Sequence, residues 1–271
     1  MTDRECVELL SWALPRLGLR WKGFWNVRRQ VEKRVARRLR ELELPTAAAY
    51  RDYLAVTPEE WPVLAHLCRV TITRFYRDHG VFRALETQVL PSLAAQAARQ
   101  GRSELAVWSA GCAGGEEAYT VALVWHLEVQ ARPSAMGLRL LGTDIDAEEL
   151  ERARAGRYPH SALAELPHNF VEAGFEPMNG CFRVRDDFRR GVEFRLSDLT
   201  KEMPGEQFDL ILCRNLAFTY YDDPLRRETA RRLAGRMPAG GVLVVGKHEV
   251  APQACGFSAM SQHEGLYERD G

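Results

Sequence analysis

Four short apolar runs constrain this chain more than anything else in it: ELAVWSA (104–110), LRLLGTD (138–144), FDLILCR (208–214) and GGVLVVG (240–246). Helical stretches sit between most of them, namely EEAYTVALVWHLEVQAR (116–132), AEELERARAG (147–156) and DPLRRETARRLAGRM (223–237). Buried strands alternating with helices imply a parallel sheet with helices on both faces, an α/β fold of Rossmann-like type. The segment GFSAMSQHEGLYERD (256–270) is expected to add two short antiparallel strands at one edge. Residues 157–195 fit the alternation poorly. There FRVRDDFRRGVEF (182–194) looks like two short strands around a turn, so a small inserted β-subdomain is expected at about 157–195.

The first part of the chain has a different texture. Val27, Val31, Val35 and Leu39 recur every four residues, as on one face of a helix. The same segment carries Arg28, Arg29, Lys33, Arg34, Arg37, Arg38 and Arg40. Thr46 opens a further helix, and Thr57-Pro58-Glu59-Glu60 another, with proline in the first turn. A basic helical domain over 1–75 is thus expected ahead of an α/β domain over 76–271. Lys plus Arg equals Asp plus Glu at 37 each, so net charge points to no partner and only its distribution informs. No apolar run reaches the ~20 residues that span a bilayer, which argues against membrane insertion. The six cysteines form no CxxC pair, which argues against a zinc site or a disulfide scaffold and for a reducing cytoplasm.

Three motifs fall where strands end, and a fourth lies just before the third main strand. Gly111-Cys112-Ala113-Gly114-Gly115-Glu116-Glu117 follows a strand and opens a helix. Its glycines permit a sharp turn and close approach to a ligand. The spacing is not GxGxxG, and the acidic pair disfavours a pyrophosphate. S-adenosylmethionine, with a cationic sulfonium and an amino acid tail, suits carboxylates there. The plainer reading is two glutamates favouring a helix N-terminus. Asp144-Ile145-Asp146 ends the second run. Asp144 suits the ribose hydroxyls of a nucleoside, and Asp146 suits a helix N-cap. Cys213-Arg214-Asn215 ends the third run, where polar residues face the crevice. Cys213 reads as a small buried residue, and Arg214 can also be a structural ion-pair partner. Ser197-Asp198-Leu199 offers a side chain to an adenine amino group, or else a turn aspartate.

Together with TITRFYRD (71–78) and GGVLVVGKHE (240–249), these pieces resemble the CheR-type chemoreceptor glutamate methyltransferases over roughly residues 20–270. WSAGC-x-x-GEE-x-Y followed by TDID and CRN is a specific combination. The resemblance implies transfer of the S-adenosylmethionine methyl group to a glutamate on a receptor helix, leaving S-adenosylhomocysteine. It implies cofactor contacts at Thr71, Thr73, Arg77, Gly111, Glu116 or Glu117, Asp144, Asp198, Leu199, Asn215 and Leu216, and no metal. It implies catalytic roles for Arg77 and for a tyrosine, Tyr220 or Tyr221. The basic helix, through Arg28, Arg29, Arg34, Arg37 and Arg38, would face acidic receptor helices. Its plainer reading is a solvated charged face.

The chain departs from the family pattern in three places. CRNLAFTYYDD is one residue longer than the usual stretch, Asp198-Leu199 stands for Asn-Leu, and Gly246-Lys247-His248-Glu249 stands for Gly-His-Ser/Thr-Glu. Two other readings stay open: a methyltransferase acting on another protein or a small molecule, and a catalytically weak S-adenosylmethionine-binding regulator. A nucleic-acid methyltransferase is disfavoured, since no Asn-Pro-Pro-Tyr type motif is present.

Overall fold

The computed structural model describes residues 2–129, 136–260 and 263–271. The chain divides into two compact units, Met1–Ile72 with Thr219–Arg226, and Thr73–Phe218 with Arg227–Gly271.

The first unit is helical. Its main helices are Asp3–Ala13, Arg28–Glu41, Ala47–Val56 and Glu60–Leu67. Thr2 opens the first with a capping box: its hydroxyl accepts from the Glu5 N–H, and the Glu5 carboxylate accepts from the Thr2 N–H. Thr46 caps the third, its hydroxyl accepting the Ala49 N–H at 3.1 Å. The four-residue apolar spacing does what it implies, since Val31, Val35 and Leu39 are buried with Leu10, Tyr50 and Leu64 in one core. The segment Thr219–Arg226 joins this unit through its backbone. The Arg20 N–H donates to the Tyr220 carbonyl at 2.8 Å, and Leu19 and Tyr221 form an antiparallel bridge.

The second unit holds the sheets. Its strands are β1 (Glu104–Ala110), β2 (Gly137–Asp144), β3 (Arg157–Tyr158), β4 (Phe175–Met178), β5 (Cys181–Val184), β6 (Val192–Leu196), β7 (Leu210–Leu212), β8 (Val242–Val244), β9 (Phe257–Ala259) and β10 (Leu266–Arg269). Seven of them form one sheet in the order β6-β2-β1-β7-β8-β10-β9. The pairs from β6 to β8 are parallel, and β10 is antiparallel to both neighbours. This is the Rossmann-like sheet the alternation implied, with the expected antiparallel edge. Residues 130–132 of the expected helix after β1, and 261–262 of the edge segment, lie outside the described residues.

The chain runs outward from β1 to β2 and β6, then returns to β7 on the other side of β1. The direction of winding therefore reverses between β1 and β7. Ligands of open α/β sheets bind outside the carboxyl ends of the strands at such a point.

One expectation about the insertion needs correcting. β3, β5 and β4 form a separate three-stranded antiparallel sheet over Arg157–Val184. Val192–Leu196 is not its partner but the edge strand of the main sheet, paired with β2. Between β5 and β6 lies a short helix, Asp186–Arg189, rather than a tight turn. Gly191, at φ 80°, redirects the chain. Phe194 then packs on Tyr119, ring centroids 5.5 Å apart, and that burial fixes the strand in the main sheet.

Candidate active site

The loop after β1 is built around Gly111, which has φ 77°. The N–H groups of Gly111 and Cys112 both donate to the Thr143 carbonyl, at 2.8 and 2.9 Å. A side chain at Gly111 would collide with that of Leu216, in the loop after β7. The two loops at the switch point therefore touch, and only glycine allows it. Gly115, at φ 88°, ends the turn and starts the helix Glu116–Val124.

Asp144, at the end of β2, is tied to this loop. Its Oδ2 accepts the Ala113 N–H at 2.8 Å and its Oδ1 accepts the Asp146 N–H at 2.9 Å. Burial raises its pKa, and these backbone donors oppose the rise. Each carboxylate oxygen retains acceptor capacity for further donors. Asp146 caps the following helix, its Oδ1 accepting from the N–H groups of Glu148 and Glu149 at 3.0 and 3.4 Å.

The two glutamates of the loop differ. Glu116 is 2 % exposed. Its Oε1 accepts from Arg152 Nη2 at 2.6 Å, while Oε2 is buried without a hydrogen-bond partner of ordinary length. Burial raises its pKa, against the opposing influence of Arg152 and a smaller one from the Thr73 side chain. Glu117 is instead engaged on both oxygens, with Ser109 Oγ donating to Oε1 at 2.7 Å and Arg214 Nη1 to Oε2 at 3.0 Å. Arg214 is a buried ion-pair partner, also bound to Asp78 Oδ2 at 2.7 Å and to the Arg77 carbonyl at 2.8 Å. Cys213 is fully buried, and burial pushes its thiol up, out of nucleophilic range.

Asp198 makes a local turn: its Oδ1 accepts the Thr200 N–H at 3.0 Å and the Thr200 hydroxyl at 2.6 Å. Burial pushes its carboxyl up, but Thr200 and Lys201 outweigh that and hold it below the usual range. Leu199 beside it is buried. Asn215 has φ 54°. Its N–H donates to Glu249 Oε2 at 2.7 Å, and so does the Gly246 N–H at 2.6 Å. The loops after β7 and β8 are thus pinned by one buried carboxylate.

Thr73, Arg77, Gly111, Glu116, Glu117, Asp144, Asp198, Leu199, Asn215 and Leu216 all belong to the second unit. Thr71, Tyr220 and Tyr221 belong to the first. Tyr221 is buried there and forms the bridge to Leu19, whereas Tyr220 is partly exposed and packs on Phe24 with ring centroids 5.0 Å apart. Sequence reasoning missed Glu249, Arg152 and the apolar pair Ile145 and Leu196. Ile145 is 40 % exposed and Leu196 56 %. Leu196 lies opposite Asp144 in the β2–β6 register. An apolar residue directly after the Asp144 carboxylate was the available signal.

The family model for the CheR methyltransferase, SAM binding domain, matches residues 71–265. The chain belongs to the CheR methyltransferase family. It is 32% identical over 230 residues to a probable chemotaxis protein methyltransferase of Rhizobium etli, covering 81% of this chain and 83% of that protein. To the chemotaxis protein methyltransferase of Escherichia coli K12 it is 32% identical over 231 residues, covering 82% and 76%. An uncharacterised 104.1 kDa protein of Rhodobacter capsulatus is 30% identical over 239 residues, 88% of this chain. The chain spans only 25% of that longer protein.

The cofactor of this family's domain is S-adenosylmethionine, and the residues of this CheR domain fit it. Glu116 Oε2 is a buried acceptor without a hydrogen-bond partner of ordinary length, suited to a cationic amino group. Asp144 presents a fixed carboxylate to ribose hydroxyls, flanked by exposed apolar side chains suited to a base. Among the described residues no group of three or more His, Cys, Asp or Glu could hold a metal ion. No helix among them is long and apolar enough to cross a membrane.

Proposed function

We propose that this protein transfers the methyl group of S-adenosylmethionine to a glutamate side chain of a chemoreceptor-like protein, forming a methyl ester. The observation that carries the reading is the pair of acidic groups joined by the glycine turn. Asp144 is locked by the Ala113 N–H. Glu116, further along the same turn, is buried, and its Oε2 lacks a hydrogen-bond partner of ordinary length. A ligand with a nucleoside at one end and an ammonium group at the other would have an acidic partner for each end.

When bound, S-adenosylmethionine supplies a methyl group activated by a positively charged sulfur. A glutamate side chain in water loses its proton at about pH 4.3, so the acceptor is already ionised at neutral pH and the protein needs no general base. Its task is alignment. Arg77 orients the acceptor carboxylate by a charge-assisted hydrogen bond. The tyrosine role falls to Tyr220, since Tyr221 is buried. Of the basic helix, Arg28, Arg34 and Arg38 are engaged within the first unit: with Asp3, with the Leu67 and Arg69 carbonyls, and with Glu60. Arg29, Lys33, Arg37 and Arg40 remain exposed at helical spacing. They form the stripe that acidic receptor helices would meet.

The test is calorimetric titration with S-adenosylhomocysteine, followed by labelled methyl transfer to a chemoreceptor cytoplasmic fragment. Stoichiometric binding, weakened at least ~100-fold in Asp144→Ala, and label released by mild base as from an ester are expected. Base-stable label would move the acceptor to another group. Binding without label on any acceptor would favour the regulator.

A further inference from the structure

The geometry points to Arg214 and Asp78 as positioning residues that set the direction of Arg77. This rests on the catalytic role proposed for Arg77.

Arg77 sits between two residues in the left-handed region, Tyr76 at φ 56° and Asp78 at φ 65°. Side-chain-bearing residues avoid that region, so two flanking a single arginine mark a backbone held against its preference. The holding groups are identifiable on each side. Upstream, the Tyr76 N–H donates to Thr120 Oγ1 at 3.1 Å, and the Tyr76 ring stacks on Phe82 with centroids 5.2 Å apart. Downstream, Arg214 Nη2 donates both to the Arg77 carbonyl at 2.8 Å and to Asp78 Oδ2 at 2.7 Å.

Arg214 is itself fixed. Its side chain is 3% exposed. Nη1 binds Glu117 Oε2 at 3.0 Å, and the guanidinium lies over the Phe82 ring at 5.2 Å. Glu117 is held in turn by Ser109 at the end of β1. A planar fork reaching a carbonyl and two carboxylates at once cannot be reproduced by a lysine. The network therefore carries the orientation of β1, through Ser109, Glu117 and Arg214, to the backbone of Arg77. The CRN motif thus contributes through its arginine to a residue far away in sequence.

The experiment is a double-mutant cycle on turnover, using Asp78→Gly and Arg77→Ala with labelled S-adenosylmethionine and a chemoreceptor cytoplasmic fragment. Glycine accepts φ 65° without strain and removes a CH2–COO− side chain that is 25% exposed, so folding is expected to survive. Asp78→Gly alone should lower kcat about tenfold, and in the Arg77→Ala background by less than about twofold. Equal factors in both backgrounds would mean a general structural role and would overturn the positioning claim, as would unchanged kcat in Asp78→Gly. A normal Arg77→Ala enzyme would instead remove the catalytic reading of Arg77. Hydrogen exchange needs no acceptor. Asp78→Gly should speed exchange over residues 74–78 while β1 stays protected, and unchanged exchange there would overturn the clamp even if no methyl transfer were seen.

Discussion

Two buried glutamates, each beside an arginine, behave in opposite ways. Glu60, in the helical unit, is 3% exposed, and Glu116, in the sheet unit, is 2% exposed. Glu60 receives Arg38 in a two-pronged contact, Nε to Oε1 at 2.9 Å and Nη2 to Oε2 at 2.8 Å, and the Tyr50 hydroxyl adds a third bond at 2.8 Å. The Arg38 guanidinium holds its carboxyl below the usual range. Glu116 receives one end-on contact from Arg152, and burial keeps its pKa raised. A buried charge with both oxygens bonded is a structural element. One left half-satisfied is a place reserved for something else.

The largest effect that would sharpen this contrast is on stability in the helical unit. Glu60→Gln removes the partner of a two-pronged arginine and weakens the Tyr50 bond. Breaking a buried pair costs about 3 kcal/mol. At ~2–4 °C per kcal/mol for a chain of this size, the melting temperature should fall by roughly 6–12 °C. Affinity for S-adenosylhomocysteine in the folded protein should stay the same. A melting temperature within a degree of wild type would mean that Arg38 finds water or Glu41 an adequate substitute.

Glu116→Gln should do the reverse. The charge it removes is one that the fold disfavours, so the ligand-free protein should melt at the same temperature or higher. Affinity for S-adenosylhomocysteine should fall about tenfold, or ~1.4 kcal/mol, because the amide no longer attracts the ligand's ammonium group. Loss of stability with unchanged affinity would make Glu116 another Glu60 and break the comparison.

The contrast also shows what a sequence can carry. Val31, Val35 and Leu39 announced a buried helix face, and the apolar runs marked β1 and β2 almost to the residue, because periodicity and composition are local. Asp146 was legible as a cap for the same reason. Partnerships across distance were not. The arginines of the second main helix read as one charged face, yet Arg38 turns inward to Glu60 and Arg34 to backbone carbonyls. Arg152, which faces Glu116, sits in an ordinary helical run of alternating charges. Val192–Leu196 has the same strand texture as Cys181–Val184, and only the packing of Phe194 on Tyr119 assigns them to different sheets. Nothing in TITRFYRD signals left-handed Tyr76 and Asp78, since neither is glycine. Among candidate site residues, those fixed by backbone turns were readable, while the division of labour between Glu116 and Glu117 needed their partners.

The smallest expected effect separates the two glutamates by pH. Glu60's folded pKa is depressed, so its contribution to stability is present above the ordinary glutamate value and lost as pH falls through the lower folded one. Glu116 and Asp144 have folded pKa values raised, in both cases chiefly by burial. For them the sign reverses. The stability they contribute is present below their unfolded values and lost as pH rises through the folded ones. On acidification these two should take up protons before ordinary carboxylates do, while Glu60 is still ionised and the helical unit intact. Affinity for S-adenosylhomocysteine should therefore decline at a pH above the ordinary carboxylate range, where the melting temperature of the ligand-free protein is flat or rising. Calorimetry and thermal melts on the same samples would follow both. If affinity and melting temperature fell together, and only below the ordinary glutamate value, the site carboxylates would be no more perturbed than a surface pair, and the assignment of Glu116 to the ligand's ammonium group would lose its physical basis.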